Sequence, residues 1–395
     1  MKLGLSKVKS SDKFDYVLLA LLVIMAITSC IAIYASFSIV GTSTGMHYLS
    51  RQIMWFTASF IVFSMMLYLG NDSLFQFAKY AYWILMICLV ILFVFRILYK
   101  LGMQEIALIQ DINGAVSWFT LPGFSFQPSE FMKIVLIVIT AQIIDDHNKN
   151  KTTDSFELDF KLFIEIAKWA LPPMILILLQ PDTGVVLIIG ISLLAMVLCS
   201  GIHKEWLWLI LGLFALFAII FGILYFFNYD LLLNIIGKDN AYKLDRITSW
   251  LDPESNFSHE GYQQYLGLVS IGSAGIKGHG LHQALLKIPE AHTDYIFAVV
   301  SQTWGLIGGG IIILLCLLLD LHLCKIASST NIMFEKYCII GIIGMLLFQQ
   351  VQNMGMIVGL LPITGITLPL ISYGGSSIIS YFIAFGITMN ASLKS

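Results

Sequence analysis

Charged residues are scarce in this sequence and make up only 12% of its 395 residues. Soluble globular domains carry about 25% charged residues, so this composition excludes an ordinary soluble protein. Hydrophobic residues make up 58%, and they gather in unbroken runs of about 20 residues. The strands of a membrane barrel would alternate polar and apolar residues over about 10 positions, and these runs do not. The sequence therefore predicts an all-α polytopic membrane protein.

Paired cysteines and a strong charge imbalance are lacking as well. Six cysteines are scattered in or beside apolar runs without a C-x-x-C pair, so neither a disulfide nor a metal site is predicted from them. The formal net charge of −2 gives no electrostatic reason to expect nucleic acid as a partner.

Ten apolar runs have roughly the length that a bilayer requires. They predict about ten transmembrane helices in a single integral membrane domain, residues 1–395. An even number of spans places both chain termini on one side of the membrane. The runs lie at residues 16–36, 50–69, 78–98, 130–144, 162–179, 184–200, 205–228, 295–320, 335–358 and 371–391.

Lysine is concentrated in the N-terminal segment and in alternate short loops, and by the positive-inside rule we expect both termini in the cytoplasm. The long segment 229–293, between the seventh and eighth helices, is then a large extracellular loop. Within it we expect helices over 262–276 and 281–288 that lie on the membrane face.

The longest polar stretch of the chain, residues 241–300, holds four of the eight histidines and one of the three arginines, Arg246. It includes Pro289-Glu290-Ala291-His292-Thr293-Asp294, and an apolar run follows at once. A carboxylate is thus placed where a membrane helix begins. Two interpretations stay open: Thr293 caps this helix and Asp294 interacts with its positive end, or Asp294 is catalytic.

Polar groups also mark other helix ends. Lys133 follows Glu130 by one helical turn, so it either pairs with Glu130 or faces a phosphate-bearing ligand. Asp182, in the turn at 180–184, caps the next helix or contributes to a site. Prolines and glycines interrupt the segment 353–377, and non-helical backbone at membrane depth must be buried in protein or line a wet cavity.

Together these motifs resemble the SEDS family (shape, elongation, division and sporulation). The short tails are more similar to the RodA branch of that family than to the FtsW branch. The matching segments cover nearly the whole chain and are NGAVSW at 113–118, FQPSEFMK at 126–133, QPDTG at 180–184, R-x-x-x-W-L-D-P at 246–253, GYQ at 261–263, PEAHTDYIFA at 289–298 and GLLPITGITLPLISYGGSS at 359–377.

The resemblance implies a peptidoglycan glycosyltransferase of the bacterial cell membrane that polymerises lipid II during elongation or division. It implies inversion at the anomeric carbon, with undecaprenyl pyrophosphate as leaving group. The implied partners are a class B penicillin-binding protein and membrane proteins of the elongation or division complex. No tightly bound cofactor is expected, although Mg or Mn would suit the pyrophosphate.

The matching motifs also imply roles for particular residues. Asp294 is expected to be the general base. The chain departs from the family pattern at Val116 and Ser117, where a basic residue is usual, and at Gln302 and Thr303, where glutamates are usual. The expected substrate-binding residues are Glu130, Lys133, Asp182, Arg246, Gln263, His292 and Ser376.

A lipid II flippase is the main rival hypothesis, because many spans, broken helices and intramembrane charges also suit a transporter. The charged groups of this chain cluster near the expected outer face instead of the midplane, which favours the enzyme. A scaffold that only recruits the transpeptidase is a third hypothesis, and it requires no chemistry at Asp294.

Overall fold

The computed structural model describes residues 14–111, 114–121, 124–151, 155–237, 241–253, 260–283 and 286–394. The N-terminal lysines and Asn113, which begins the first motif, lie outside these residues. The helices are α1 (Tyr16–Ala35), α2 (Phe37–Val40), α3 (Thr42–Leu69), α4 (Leu74–Lys100), α5 (Pro128–Asn150), α6 (Phe156–Leu179), α7 (Thr183–Leu198), α8 (Lys204–Phe227), α9 (Tyr229–Ile236), α10 (Tyr242–Leu251), α11 (Glu260–Ala274), α12 (Ile296–Ser329), α13 (Met333–Ile357) and α14 (Gly375–Leu393).

The prediction of a mainly helical membrane protein is confirmed. In the described ranges, eight helical segments are long and apolar enough to cross a membrane: 16–40, α3, α4, α6, α8, α12, α13 and α14. The fourth and sixth predicted runs form α5, which has charged residues near both ends, and α7, which has only 16 residues. The count of ten spans therefore stays a prediction.

The bundle is built around α5, which packs against α4, α6, α7, α13 and α14. Every residue of α5 from 136 to 141 is buried, so this part of α5 lies inside the bundle. By contrast, α8 buries none of its residues and exposes apolar side chains along its whole length. That exposure is expected of a helix whose surroundings are lipid.

A short hairpin precedes α5, and the all-α prediction did not include it. Its strands are β1 (Phe119–Leu121) and β2 (Phe124–Phe126), which pair antiparallel. The predicted helix over 281–288 is also wrong for its described residues, since 281–283 and 286–288 are not helical.

Helix α12 is interrupted at Gly305, where φ is 63° and ψ is −151°. The chain that follows α11 fills the gap: Leu306 donates its N–H to the Gly275 carbonyl (3.0 Å), and Gly280 donates to the Thr303 carbonyl (3.0 Å). At Gly278 a Cβ atom would lie 2.3 Å from the Thr303 carbonyl oxygen, so this close approach of two backbones requires glycine.

Candidate active site

A cavity of about 450 Å³ opens at one end of the bundle. Its walls include the start of α5, the turn between α6 and α7, the turn before α12 and the irregular segment between α13 and α14. Side chains separated by more than 200 residues in the sequence therefore face one space. Five of the predicted site residues line it: Glu130, Asp182, Arg246, Asp294 and Ser376.

Asp294 is held by its backbone in a fixed position at the start of α12. The N–H groups of Thr293 and Tyr295 both donate to the Glu290 carbonyl, at 3.1 and 3.2 Å. Asn353 of α13 donates through Nδ2 to the Asp294 carbonyl at 2.7 Å. These bonds place the Asp294 carboxylate in the cavity wall, where a Cβ at Gly365 would lie 3.5 Å from Oδ2.

The surroundings of Asp294 favour its neutral form more than water does. Burial, and next the negative charge of Glu290, raise the pKa of Asp294 to about 7, while the positive charge of Arg246 lowers it. Arg246 projects into the cavity from α10. A carboxylate with this pKa is ionised at or just above neutral pH and still binds a proton readily, which is what a general base requires.

Asp182 forms a second acidic centre in the same wall. Its Oδ2 accepts hydrogen bonds from Gln127 Nε2 (2.8 Å) and Ser129 Oγ (3.2 Å), and its Oδ1 accepts from the Val185 N–H (3.4 Å). The last bond makes Asp182 the N-cap of α7, as the sequence suggested. Burial, and next the charge of Glu130, raise the pKa of Asp182.

Lys133 pairs with Glu130 and does not line the cavity. Its Nζ lies 2.8 Å from Glu130 Oε2, and the Lys133 side chain is fully enclosed. The same Nζ lies 4.6 Å from the centre of the Tyr381 ring. Tyr381 in turn exchanges hydrogen bonds with Gln349, which lines the cavity. Of the two interpretations of Lys133, the geometry supports the pair within α5.

Ser376, in the first turn of α14, links α14 to the hairpin through hydrogen bonds. Its Oγ donates to the Ser125 carbonyl (2.8 Å) and accepts from the Gln127 N–H (3.1 Å). Trp118 Nε1 donates to Gln127 Oε1 at 3.0 Å, so the first two motifs meet at one glutamine. These bonds set the orientation of Gln127, which holds Asp182.

Gln263 and His292 contact the turn that carries Asp294 but do not line the cavity. Gln263 Nε2 donates to the Pro289 carbonyl at 3.4 Å. The His292 ring stacks on Tyr48 at 4.0 Å, and burial lowers the pKa of His292. Direct contact of either residue with substrate stays a prediction.

Sequence reasoning missed Glu290 and Gln349 as lining residues. Glu290 has a positive φ of 51° and accepts a hydrogen bond from Thr293 Oγ1 (2.9 Å), so its side chain lies beside the Asp294 turn. The motif containing Glu290 was visible in the sequence, but the backbone turn that brings the two carboxylates together was not.

Comparisons with known proteins agree on one family. The family model described as cell cycle protein, which groups FtsW, RodA and SpoVE, matches residues 13–395. A Geobacter sulfurreducens protein named "Probable peptidoglycan glycosyltransferase FtsW" is 32% identical over 401 residues, covering 100% of this chain and 99% of the relative. Stage V sporulation protein E of Bacillus subtilis is 34% identical over 283 residues, covering 71% of this chain and 72% of the relative.

Two solved structures share the fold. A chain from a peptidoglycan synthase complex, described as coordinating polymerization and crosslinking, superposes with a TM-score of 0.73 at 25% identity and covers 96% of this chain and 97% of its own. The crystal structure of the rod shape determining protein RodA of Thermus thermophilus has a TM-score of 0.65 at 24% identity, with 97% and 98% covered.

The bundle of membrane helices and the carboxylate-lined cavity at one end define this chain as a polytopic membrane protein with a polar site. The chain belongs to the family of FtsW, RodA and SpoVE, which is the SEDS family expected from its motifs. The preference for the RodA branch stays a prediction, since the relatives above carry the names FtsW and stage V sporulation protein E.

Proposed function

We propose that this chain is a peptidoglycan glycosyltransferase that polymerises lipid II and uses Asp294 as its general base. The observation that carries the proposal is the position of Asp294: its carboxylate lies in the cavity wall, has a pKa of about 7 and is near Arg246. The activity named for the relative from Geobacter sulfurreducens supports the same reaction class.

The chemistry requires one general base and a cationic site. The acceptor hydroxyl attacks the anomeric carbon of the donor sugar with inversion, and Asp294 takes the hydroxyl proton as the new C–O bond forms. The bond to the undecaprenyl pyrophosphate breaks, and its electron pair leaves with the pyrophosphate. Because a pyrophosphate is a good leaving group, no acid has to protonate it. Arg246, which lines the cavity, is the side chain that we assign to its charge.

The remaining cavity residues hold the substrate and the wall in place. Asp182 and Ser376 face the cavity and are fixed by the hairpin and by α7, so we assign them to the sugar and peptide parts of lipid II. Lys133 keeps the charge of Glu130 neutralised inside the bundle. Lys133 therefore contributes to substrate binding through its effect on Glu130, which lines the cavity.

A divalent cation remains part of the proposal as a companion of the pyrophosphate. In the described ranges of the chain, no three His, Cys, Asp or Glu side chains are grouped so that they could hold a metal ion. We therefore propose that the pyrophosphate oxygens, and not a cluster of side chains, would hold Mg or Mn. Polymerisation assays with and without a chelator test whether the substrate brings the cation.

We further propose that the protein lies in the bacterial cytoplasmic membrane with both termini in the cytoplasm. The cavity then faces outward, where lipid II polymerises. We propose a class B penicillin-binding protein as its partner, together with other membrane proteins of the elongation or division complex. The similarity to a chain of a peptidoglycan synthase complex supports this assembly.

Purified protein mixed with lipid II tests the proposed activity. We expect glycan polymers on a gel, and their loss in Asp294→Asn while the variant still folds and binds lipid II. Scrambling of lipid II across liposomes without any polymer would contradict the enzyme and favour the flippase. Normal polymerisation by Asp294→Asn would contradict the assignment of the base.

A further inference from the structure

A second cavity, of about 520 Å³, lies at the other end of the bundle from the candidate active site. Helix α5 connects the two, because Glu130 in its first turn lines the first cavity and Asn150 at its end lines the second. The second cavity lies between the first turns of α4 and α6 and the last turns of α5. It is therefore at the opposite face of the membrane.

This cavity is cationic at its mouth and apolar along its floor. Lys79, Lys151 and Lys161 line it near the helix ends. Ile139, Ile143, Leu162 and Trp169 line its deeper part. At 1.5 Å per helical residue, Ile139 lies roughly 16 Å deeper than Asn150. The cavity thus extends from the interface well into the hydrocarbon region.

Two of the three lysines at the mouth are already close to carboxylates. Two carboxylates line the cavity: Glu165 is paired with Lys168 (2.9 Å), whereas Asp146 accepts a hydrogen bond from the neutral amide of Gln142 (2.8 Å) and keeps its negative charge. Lys161 is 2.7 Å from Glu157, and Lys151 is 3.8 Å from Asp159.

Lys79 differs from the other two lysines. Its Nζ lies 4.3 Å from the centre of the Phe75 ring, and no ion pair joins it to a carboxylate of the described residues. An ammonium group in this position is available to an anion from outside the protein.

His147 adds an independent sign of a ligand. It lines the cavity, and its Nε2 is buried without a hydrogen-bond partner among the described residues. Buried polar atoms are normally paired, and an imidazole N–H suits a phosphate oxygen. Lys79, Lys161 and His147 come from three different helices and face the same mouth.

We propose that this cavity binds an anionic phospholipid from the leaflet opposite the candidate active site. The phosphate lies among Lys79, Lys161 and His147, and an acyl chain lies along Ile139, Ile143 and Trp169. Free phosphate from the aqueous phase shares the headgroup chemistry, but it would leave the apolar floor uncovered. Cationic pockets between membrane helices suit acidic headgroups in this way.

The test measures the affinity of the full chain in neutral detergent for fluorescent phosphatidylglycerol and phosphatidylcholine with identical acyl chains. We expect tighter binding of phosphatidylglycerol. The double variant Lys79→Gln/Lys161→Gln should bind phosphatidylglycerol about 25-fold more weakly, because each lysine near the membrane surface contributes roughly 5-fold to the affinity. Phosphatidylcholine binding should hardly change.

A matched control removes the same charge outside the cavity. Lys325→Gln/Lys336→Gln changes two lysines of α12 and α13 near the same face, and we expect it to bind phosphatidylglycerol normally. Equal weakening by this control, or equal affinity of the protein for both lipids, would overturn the proposal.

A separate variant tests whether an acyl chain occupies the apolar floor of the cavity. Ile143→Trp fills the floor without changing charge, and we expect it to weaken phosphatidylglycerol binding by at least several-fold. Inorganic phosphate should compete poorly with the lipid. Competition by phosphate at the affinity of the lipid, with Ile143→Trp without effect, would show a phosphate site and overturn the lipid.

Discussion

The pair formed by Glu130 and Lys133 gives a prediction about stability. Both side chains are enclosed: Lys133 is 0% exposed and Glu130 is 9% exposed, with 2.8 Å between their charged atoms. Lys133→Met keeps the length and apolar stem of the side chain but leaves the Glu130 carboxylate buried without its cation. Breaking a buried ion pair in this way costs roughly 3–5 kcal/mol.

Thermal unfolding of the purified protein in detergent measures this effect, and we expect Lys133→Met to lower the midpoint by several degrees. Glu130→Gln/Lys133→Met removes both charges and should recover most of the loss, since no uncompensated charge remains. The matched control is Lys168→Met. Lys168 forms the same i,i+3 pair with Glu165 at 2.9 Å, but both side chains are exposed, so at most about 1 kcal/mol is lost.

A Lys133→Met variant that unfolded no earlier than Lys168→Met would refute the buried ion pair as the source of the cost. A double variant less stable than Lys133→Met would also refute it, because the cost would then not come from the unpaired carboxylate.

Three further predictions concern other residues. Gly278→Ala should lower the unfolding midpoint more than Gly280→Ala. Both residues have positive φ, but a Cβ at Gly278 would lie 2.3 Å from the Thr303 carbonyl oxygen, whereas a Cβ at Gly280 would meet nothing closer than 3.9 Å. Equal shifts of the midpoint would contradict this packing. Asp182→Ala should reduce polymerisation and should also cost about 1 kcal/mol of stability as a lost helix cap, whereas Asp182→Asn should keep the cap. Chemical or thermal unfolding of both variants separates the loss of stability from the loss of activity. An Asp182→Ala variant as stable as the natural protein would contradict the capping role. The pKa of Asp294 is about 7 in the fold against an ordinary 3.8, so its ionised form destabilises the folded state above pH 7, and this cost fades as the pH falls toward about 4. Asp294→Asn should therefore be more stable than the natural protein at pH 8, and the difference in stability should shrink on acidification. A difference in stability that does not depend on pH would contradict the shifted pKa.

The sequence predicted the helices well because membrane spans carry a strong local signal. Each of the ten apolar runs corresponds to a helix in the structure. The run at 130–144 extends to Asn150, since polar residues continue the helix beyond its apolar part. The hairpin at 119–126 escaped prediction because strands of three residues have no usable alternation.

Five of the eight predicted site residues line the cavity, but their arrangement could not be predicted. Glu130, Asp182 and Asp294 were each marked by charge at the end of an apolar run. Their convergence depends on how α5, α7 and α12 pack, which no local pattern encodes. Gln349 was invisible for the same reason: a glutamine within an apolar helix gains its position only from the helices around it.

The most direct measurement of the central claim is the rate of lipid II polymerisation as a function of pH for the natural protein and for Asp294→Asn. General-base catalysis by Asp294 predicts a rate that falls about tenfold per pH unit below roughly pH 7 and levels off above it, since only the ionised carboxylate accepts the proton. Asp294→Asn should be about 100- to 10,000-fold slower and should lose this pH dependence. A variant that polymerises at nearly the normal rate, or that keeps the same pH profile at a lower rate, would contradict Asp294 as the base.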